Sequence, residues 1–260
     1  MRQFPRAEQI DRLRQRLLLR IRRRYSVSFV PLDIGRLHLH FIRIENPDRV
    51  LDMVADEVDR YERKHGKRKY GEELHLPYWA ELWDSAPAVG QFLTSVHGRK
   101  LLTRRRPDTG PSVLDLGCGM GLAGTTAAAL GARVLFADLE PHALLFARLN
   151  SLPWFEQVRT RRLNWRTDKL GERFDLILGA DILYERAQWT HLEPFWDAHL
   201  SADGAIILGE PGRPTGDEFL TWIAARPWTV TTHLERIATR DKPVRVIVLW
   251  RSNARTNDER

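Results

Sequence analysis

The chain has 260 residues, of which 43% are hydrophobic and 29% charged, as in an ordinary globular protein. It has no run of about eighteen apolar residues, which excludes a transmembrane helix, and its single cysteine, Cys118, excludes an internal disulfide framework and suits the reducing cytoplasm. The net charge of +7 equals the excess of nine arginines over two acids in residues 1–24, so the balanced remainder is not predicted to take nucleic acid as a substrate.

The first 24 residues have a helical pattern. Apolar side chains recur three or four residues apart, at Ile10, Leu13, Leu17 and Ile21. The favoured interpretation is a helix that packs this stripe on the domain and exposes its arginines. Binding of a polyanion, a membrane surface or a partner protein by the basic face stays open. A mitochondrial transit peptide fits less well, because the segment has no serine and two acids.

Residues 26–44 alternate between apolar and polar side chains around a D-I-G turn, which predicts a β-hairpin. N-P-D at 46–48 predicts the start of a helix that ends near residue 65, where a charged linker follows. His38 and His40 share one face of the hairpin. Two histidines without further ligands do not make a metal site, and none is predicted.

From residue 113 short apolar strands alternate with helices. Five strands are predicted in this order: 113–117, 133–138, 158–164 at a sheet edge, 174–181 and 204–211. Two last strands, 228–237 and 244–250, are joined by a connection too short for a crossover, so they must pair antiparallel. The predicted fold class is α/β, a doubly wound, seven-stranded Rossmann-like sheet with a C-terminal antiparallel hairpin, preceded by an N-terminal helix and β-hairpin.

Four segments are predicted along the chain. They are a basic amphipathic arm at 1–24, a hairpin and helix extension at 25–75, the α/β domain at 76–252 and a polar tail at 253–260. The tail is expected to be disordered because it is short, polar and rich in charge.

Three acids fall where parallel strands end. Asp115, Asp138 and Asp181 lie at or near the carboxyl ends of the first, second and fourth predicted strands. Open α/β sheets bind ligands in the crevice beyond these ends, where the strand order switches. If the first strand neighbours the fourth, Asp115 and Asp181 face one crevice, and burying a carboxylate there without a partner would be costly. The three acids together therefore predict a binding site.

A glycine loop follows the first of these strands. Gly117, Gly119 and Gly121 allow a tight turn and a close approach of the backbone to a ligand. With Gly124, and with Asp138 about twenty residues further on, the loop also satisfies the dinucleotide pattern G-x-G-x-x-G. Asp115, two residues before the loop, would repel a pyrophosphate. In addition, a dinucleotide-binding sheet usually continues with parallel βαβ units, whereas this sheet ends in an antiparallel hairpin. A dinucleotide is therefore disfavoured.

The loop D-x-G-x-G-x-G at 115–121, the acid ending the second strand and the terminal hairpin resemble a class I, seven-stranded S-adenosylmethionine-dependent methyltransferase. Within that class, W-D-S-A at 83–86, L-N-W at 163–165 and D-I-L-Y at 181–184 are similar to segments of the protein lysine methyltransferases. G-E-P-G-R-P at 209–214 resembles a segment of the electron transfer flavoprotein β-subunit lysine methyltransferases.

The resemblance covers about residues 74–250 and implies S-adenosylmethionine as cofactor, with no metal. It implies that Asp138 accepts both ribose hydroxyls and that Asp115 lies near the amino group of the methionine portion. Asn164, which replaces the usual acid, and Trp165 would border the adenine. The whole implied cofactor site consists of Trp83, Asp115, Gly117, Gly119, Gly121, Asp138, Leu139, Asn164, Trp165 and Ala180.

The resemblance also implies a catalytic pair, Asp181 and Tyr184. A lysine must lose a proton before it attacks, and neutralising it from a pKa of about 10.4 at pH 7 costs roughly 4.6 kcal/mol. A carboxylate alone favours the charged amine, so Asp181 is assigned to positioning the ammonium and not to removing its proton. Tyr184 is assigned to hydrogen bonding the nitrogen as it becomes neutral.

The stretch P-Y-W-A-E-L-W-D-S-A at 77–86 places aromatic side chains beside acids, ahead of the glycine loop. Trp83 is the candidate wall of the cofactor site, because its flat face can exclude water while its N–H finds a partner. Tyr78 and Glu81 are candidates for the acceptor entrance. Ser85 is predicted to cap the helix that follows.

The leading hypothesis is therefore a methyltransferase acting on a lysine amine of a protein, with the electron transfer flavoprotein β subunit as the suggested substrate. A small-molecule N- or O-methyltransferase of the same fold is the first alternative, and it would need an enclosed acceptor pocket. A nucleotide-binding oxidoreductase and a non-catalytic binding module are the alternatives from other classes.

Overall fold

A computed structural model describes residues 6–66, 76–103 and 110–252 of the chain. Its helices are α1 (Arg6–Arg22), α2 (Pro47–His65), α3 (Ser85–Thr94), α4 (Val96–Thr103), α5 (Leu122–Ala129), α6 (Pro141–Asn150), α7 (Arg186–His199) and α8 (Pro214–Ala224). Its strands are β1 (Val27–Ile34), β2 (Leu37–Ile44), β3 (Ser112–Leu116), β4 (Arg133–Asp138), β5 (Val158–Arg162), β6 (Phe174–Ala180), β7 (Leu200–Glu210), β8 (Trp228–Glu235) and β9 (Val244–Arg251). The predicted polar tail, 253–260, lies outside the described residues.

Seven strands form the central sheet in the order β5-β4-β3-β6-β7-β9-β8. The first five run parallel, whereas β9 lies antiparallel to both β7 and β8. The side chains of β3 and β6 are buried on both faces, because helices cover the two sides of the sheet, and this is why these strands are continuous apolar runs. The predicted fold class is confirmed, with β5 at the edge and β3 next to β6.

The chain reverses its direction of travel across the sheet between β3 and β6. β4 and β5 extend the sheet on one side of β3, and β6 and β7 extend it on the other. The carboxyl ends of β3, β4 and β6 therefore meet around one crevice, which is where ligands bind in open α/β sheets. Asp115, Asp138 and Asp181 all lie at this edge, in or directly after these strands.

The predicted cap of α3 is wrong. Asp84 occupies the capping position without a side-chain cap bond, and its carboxylate instead accepts a hydrogen bond of 2.8 Å from the hydroxyl of Thr239. Ser85 is the first residue of the helix, and its buried Oγ has no hydrogen-bond partner in the described part of the chain. The helix begins one residue earlier than predicted, and Ser85 packs closely on the sheet, since a Cβ on Gly209 of β7 would lie 2.7 Å from its carbonyl oxygen.

The amphipathic stripe of α1 packs on the α/β domain, as the favoured interpretation predicts. Leu17 and Ile21 are buried in one apolar cluster with Phe146 of α6. Asn150, at the end of α6, ties the β1–β2 hairpin to the glycine loop: its amide oxygen accepts from the Ile42 amide at 2.8 Å, and its amide nitrogen donates to the carbonyl oxygens of Ile42 and Met120. The N-terminal extension therefore supports the loop. The exact division into four segments stays a prediction.

Across residues 6–66, 76–103 and 110–252, no helix combines the length and apolarity that crossing a membrane would require.

Candidate active site

The glycine loop connects β3 to α5. Gly117, Gly119 and Gly121 all have positive φ angles, of 64°, 52° and 85°, which side chains other than glycine rarely adopt. At Gly121 a Cβ would lie 2.7 Å from the Cβ of Ala147, so a side chain has no room. At Gly119 the nearest atom to such a Cβ is the carbonyl oxygen of Trp79, at 3.7 Å. This glycine leaves the backbone accessible to a ligand.

Asp138 ends β4 and faces the same loop. One carboxylate oxygen accepts a hydrogen bond of 2.8 Å from the amide of Gly119, and the other accepts one of 2.9 Å from the amide of Glu140. Burial raises the pKa of Asp138 to about 6, against the lowering effect of these amides. The Leu139 amide also acts on Asp138, and with about four lone-pair positions the carboxylate still has capacity for a further donor.

Asp115 lies beneath the loop and is 1% exposed. One of its oxygens accepts a hydrogen bond of 2.8 Å from the amide of Gly124, in the first turn of α5. Burial and, to a smaller extent, the nearby charge of Asp138 raise the pKa of Asp115 to about 7, against the lowering effect of the Gly124 amide. The two buried acids, of which Asp138 is mostly ionised at pH 7, disfavour a phosphate-bearing ligand, and a ligand with cationic groups would favour their ionised forms.

Asp115→Asn should stabilise the free protein at alkaline pH, because the asparagine oxygen can still accept from Gly124. A carboxyl whose folded pKa is raised contributes stability that is complete below its unfolded pKa, near 3.8, and is lost as the pH rises through about 7. We expect the melting temperatures of the variant and the parent to be similar near pH 4. At pH 8 the difference should approach the roughly 4 kcal/mol that a pKa change from 3.8 to about 7 implies, or about 8–16 °C. A difference that does not change with pH would contradict this.

The residues predicted to border the adenine lie beside the loop. Trp165 has ring carbons 3.5 and 3.9 Å from the position a Cβ would take on Gly117, and its Nε1–H donates to Gln188 at 3.0 Å. The side-chain oxygen of Asn164 accepts from the amide of Arg166 at 3.0 Å, which orders the turn that contains Trp165. Of the two remaining predicted contacts, Leu139 is exposed next to Asp138, and Ala180 ends β6 directly before Asp181.

Asp181 has an unusual backbone. Among the described non-glycine residues it alone has a positive φ, of 61°, and its amide donates to the carbonyl oxygen of Gly209 at 3.0 Å. The residue is buried, and both of its carboxylate oxygens accept hydrogen bonds from the guanidinium of Arg213. Non-glycine residues in this conformation concentrate at functional sites, where the surrounding structure holds them.

An aromatic cluster stands beside Asp181. The ring of Tyr184 lies 5.4 Å from that of Tyr78, which in turn lies 6.2 Å from Trp83. The Trp83 N–H donates to the carbonyl oxygen of Tyr78 at 2.8 Å. Tyr78 is 44% exposed and Tyr184 36%, so this side of the site is open to solvent. Glu81, the other candidate for the entrance, is exposed too.

The environment keeps Tyr184 protonated. Burial raises its pKa to about 12, and the charges of Glu185, Asp138 and Asp181 contribute in the same direction. At neutral pH its phenol is therefore neutral and can accept a hydrogen bond from an amine. It is too weak an acid to supply a phenolate base.

Two residues of the site received no role from the sequence. Arg213 pairs with Asp181, and Glu210, 2% exposed at the end of β7, holds the turn that carries Arg213. Glu210 could have been found by the rule that selected the other acids, since it also ends a parallel strand at the carboxyl edge. Arg213 lies within the quoted segment G-E-P-G-R-P, but nothing in its sequence position indicates that it reaches Asp181.

A family model described as lysine methyltransferase matches residues 72–225, more than half of the chain. The chain belongs to the lysine methyltransferase family. The match includes the glycine loop, Asp138 and the D-I-L-Y segment, but it ends before the terminal hairpin of the sheet.

Three curated relatives illustrate the family. The chain is 33% identical over 150 residues to the electron transfer flavoprotein β-subunit lysine methyltransferase of Rattus norvegicus, covering 53% of the chain and 52% of the relative. It is 35% identical over 135 residues to protein N-lysine methyltransferase METTL21A of Xenopus tropicalis, covering 50% and 58%. It is 34% identical over 122 residues to histone-arginine methyltransferase METTL23 of Mus musculus, covering 43% and 44%. The chain thus spans about half the length of the curated relatives it matches.

A solved structure agrees with the fold. The ribosomal protein L11 methylase of Lactobacillus delbrueckii subsp. bulgaricus superimposes with a TM-score of 0.50 and 20% sequence identity, covering 66% of this chain and 80% of that one. At this identity the likeness shows the shared methyltransferase fold and nothing finer.

The site's residues fit S-adenosylmethionine. The acids Asp115 and Asp138 suit a cofactor that carries a diol and positive charge and has no phosphate, and the free lone pairs of Asp138 can accept from hydroxyls. The backbone at Gly119 is open to a ligand. In the described ranges no group of three or more His, Cys, Asp or Glu side chains could hold a metal ion.

Proposed function

We propose that the chain is an S-adenosylmethionine-dependent protein lysine N-methyltransferase. The observation that carries this proposal is the arrangement at the carboxyl edge of the sheet. A glycine loop bordered by acids adjoins Asp181 and Tyr184 there. The charges of Asp138 and Asp181 both raise the pKa of Tyr184, so the three residues lie near one another. A cofactor held by Asp138 would therefore lie within reach of an acceptor held at Asp181 and Tyr184.

Each residue then has a defined task. Asp138 would hold the ribose, the glycine loop would cover the methionine portion with Asp115 below it, and Asn164 and Trp165 would border the adenine. The bound cofactor supplies an electrophilic methyl group on a cationic sulfur. Placing the two reactants in line can itself lower the barrier by roughly 7–11 kcal/mol.

The acceptor residues would act on the lysine in sequence. Asp181 would attract and orient the incoming ammonium, and the neutral phenol of Tyr184 would accept an N–H once the proton has been lost to solvent. The exposure of Tyr78 and Tyr184 favours a protein acceptor, since a small-molecule enzyme would need an enclosed pocket. Tyr78 and Glu81 would then line the entrance, and Trp83 would wall the site.

The proposal is tested by incubating the protein with a cell lysate and isotopically labelled S-adenosylmethionine, followed by mass spectrometry. We expect the label on lysine side chains. The electron transfer flavoprotein β subunit is the first purified substrate to try, because several relatives are named for it. Label found on arginine, on amides or on small molecules, with none on lysine, would refute the lysine assignment. S-adenosylhomocysteine, and not NADH, should raise the melting temperature, which separates this function from an oxidoreductase.

We also propose that the basic face of α1 attracts an acidic partner, with the acceptor protein as the first candidate. Burial and then the charge of Arg24 lower the pKa of His142, and Arg20 acts in the same direction. The His142 ring stacks near Trp79, whose carbonyl faces Gly119, so the basic end of α1 lies close to the site.

Reversing charges tests the arm better than deleting it, because deletion would expose the cluster around Leu17 and Ile21. The exposed arginines Arg16, Arg20 and Arg23 can be changed together to glutamate. We expect KM for the acceptor protein to rise about tenfold at low salt, and the difference to shrink at high salt. An unchanged KM would show that the arm is only a packing element.

The lone cysteine, Cys118, supports the cytoplasm as the proposed compartment.

A further inference from the structure

The Arg213 guanidinium lies between the acceptor acid and the aromatic cluster. Its two terminal nitrogens donate to the two oxygens of Asp181, one of them at 3.2 Å, so the pair is bidentate. Its central carbon lies 5.5 Å from the centre of the Trp83 ring. The Asp181 side chain is 6% exposed and that of Arg213 34%, so the arginine stands on the solvent side and covers the acid.

The position of Arg213 is built into the fold. One oxygen of Glu210 accepts from the amides of Gly212 and Arg213, which fastens the turn after β7. The other oxygen accepts from Arg245 of β9 at 2.9 and 3.1 Å. A Cβ on Gly216 would lie 2.2 Å from the Glu210 carboxyl carbon, so the backbone of α8 packs directly on this acid. These contacts fix the turn that carries Arg213, and so fix the place from which its side chain reaches Asp181.

The pairing changes what Asp181 can do. A buried carboxylate without a partner would hold an acceptor amine in its charged, unreactive form. It would also offer a guanidinium acceptor the planar, two-point pairing that carboxylates prefer. With Arg213 in place the negative charge of Asp181 is compensated in part and its planar two-point pairing is occupied, while each oxygen keeps a lone pair that can orient an amine N–H.

We propose that Arg213 is a specificity-determining positioning residue of the acceptor site. It compensates the charge of Asp181, which favours a neutral amine, and it occupies the geometry that an arginine acceptor would need. This inference rests on the proposed lysine methyltransferase function and extends it: the substrate class is a primary amine, and a guanidinium is excluded.

Other charged groups around the pair are accounted for. Asp138 and Glu185 act on Tyr184 together with Asp181, and Glu210 lies behind the Arg213 turn. Glu210 is itself paired with Arg245, so it does not compete for the Arg213 guanidinium. Removal of Arg213 would therefore leave the acceptor side negative and without a compensating cation from these groups.

The experiment compares Arg213→Gln, Arg213→Lys and the control Arg159→Gln. On the exposed edge strand β5, one terminal nitrogen of Arg159 donates to both oxygens of Glu172, at 3.0 and 2.9 Å, so this arginine also pairs with a carboxylate but far from the site. The substrates are the acceptor protein found by lysate labelling and the same protein with its acceptor lysine replaced by arginine. Three quantities are measured: kcat/KM between about pH 6 and 9, the product by mass spectrometry, and the affinity for S-adenosylhomocysteine by calorimetry.

For Arg213→Gln we expect lysine methylation at pH 7 to fall about tenfold, and the rising limb of the pH profile to move about one unit to alkaline pH. The preference for lysine over arginine should fall by about tenfold or more, while cofactor affinity stays within about threefold. Arg213→Lys restores the charge without the planar fork, so it should recover the parental pH profile but only part of the preference.

An Arg213→Gln protein with the pH profile and lysine preference of Arg159→Gln would overturn the proposal. Loss of cofactor binding by this variant would overturn it too, since Arg213 would then serve the cofactor. If Arg213→Gln does not fold, the test rests on Arg213→Lys. A folded Arg213→Lys protein that keeps the full parental preference for lysine over arginine acceptors also overturns the proposal. Failure of the proposed function looks different, because the unaltered protein would then label no lysine at all.

Discussion

Asp181→Asn is expected to reduce methyl transfer to the acceptor protein by about a thousandfold while the affinity for S-adenosylhomocysteine changes by less than about tenfold. The asparagine keeps the size of the side chain and tolerates the positive φ of 61° found at this position, so the backbone should persist. What is lost is the charge that attracts the ammonium and holds Arg213. The loss should appear in kcat/KM and not in cofactor binding.

Asp197→Asn is the matched control for this change. Asp197 also accepts a hydrogen bond from an arginine, Arg251, at 3.0 Å, but its side chain is 67% exposed on α7. This variant should retain parental kcat/KM. Asp181→Ala adds a backbone penalty, since alanine avoids positive φ, and is expected to melt at a lower temperature than the asparagine variant. Loss of cofactor binding in Asp181→Asn would mean that this acid belongs to the cofactor site.

The parts of the fold that the sequence predicts well are those decided by local pattern. The strand at 133–138 is found at its observed bounds, because side chains buried on both faces produce a continuous apolar run ended by Asp138. The terminal hairpin follows from the length of one connection alone. By contrast α4 and the early start of β7 at Leu200 carry no strong periodic signal, so both were missed.

Site residues, too, can be predicted where local sequence decides their position and are missed where contacts between distant segments decide it. The three acids and the glycines can be located because strand ends and positive φ angles leave traces in the local sequence. The Arg213–Asp181 pair leaves none. It depends on a turn held by Glu210, which depends in turn on Arg245, 35 residues further along the chain. The prediction for Ser85 failed because the helix begins one residue earlier than expected, so that Ser85 lies inside the helix and packs against Gly209 of β7.

Asp138→Ala is expected to weaken binding of S-adenosylhomocysteine by at least about a hundredfold. Two hydrogen bonds from ribose hydroxyls to a charged acceptor contribute about 1.5–3 kcal/mol each. The variant also loses the 2.8 Å bond to the amide of Gly119 and with it one constraint on the loop. Asp138→Asn keeps one carbonyl oxygen and should lose less. Calorimetry with S-adenosylhomocysteine measures both, and Glu172→Gln, at a distant exposed ion pair, serves as control.

The pH dependence distinguishes ribose binding by Asp138 from a purely structural role. As the pH rises, the stability of the free protein should fall while its affinity for the cofactor should increase. Its pKa is raised by burial to about 6, above the unfolded value near 3.8, so ionisation costs the free protein stability as the pH rises through 6. The ionised carboxylate is the better acceptor for two hydroxyls, so cofactor affinity should rise over the same interval. Asp138→Asn should remove the affinity trend and the Asp138 share of the stability trend, and leave the share that comes from Asp115. If affinity in the unaltered protein is independent of pH between about 5 and 7, the ribose is held by another group.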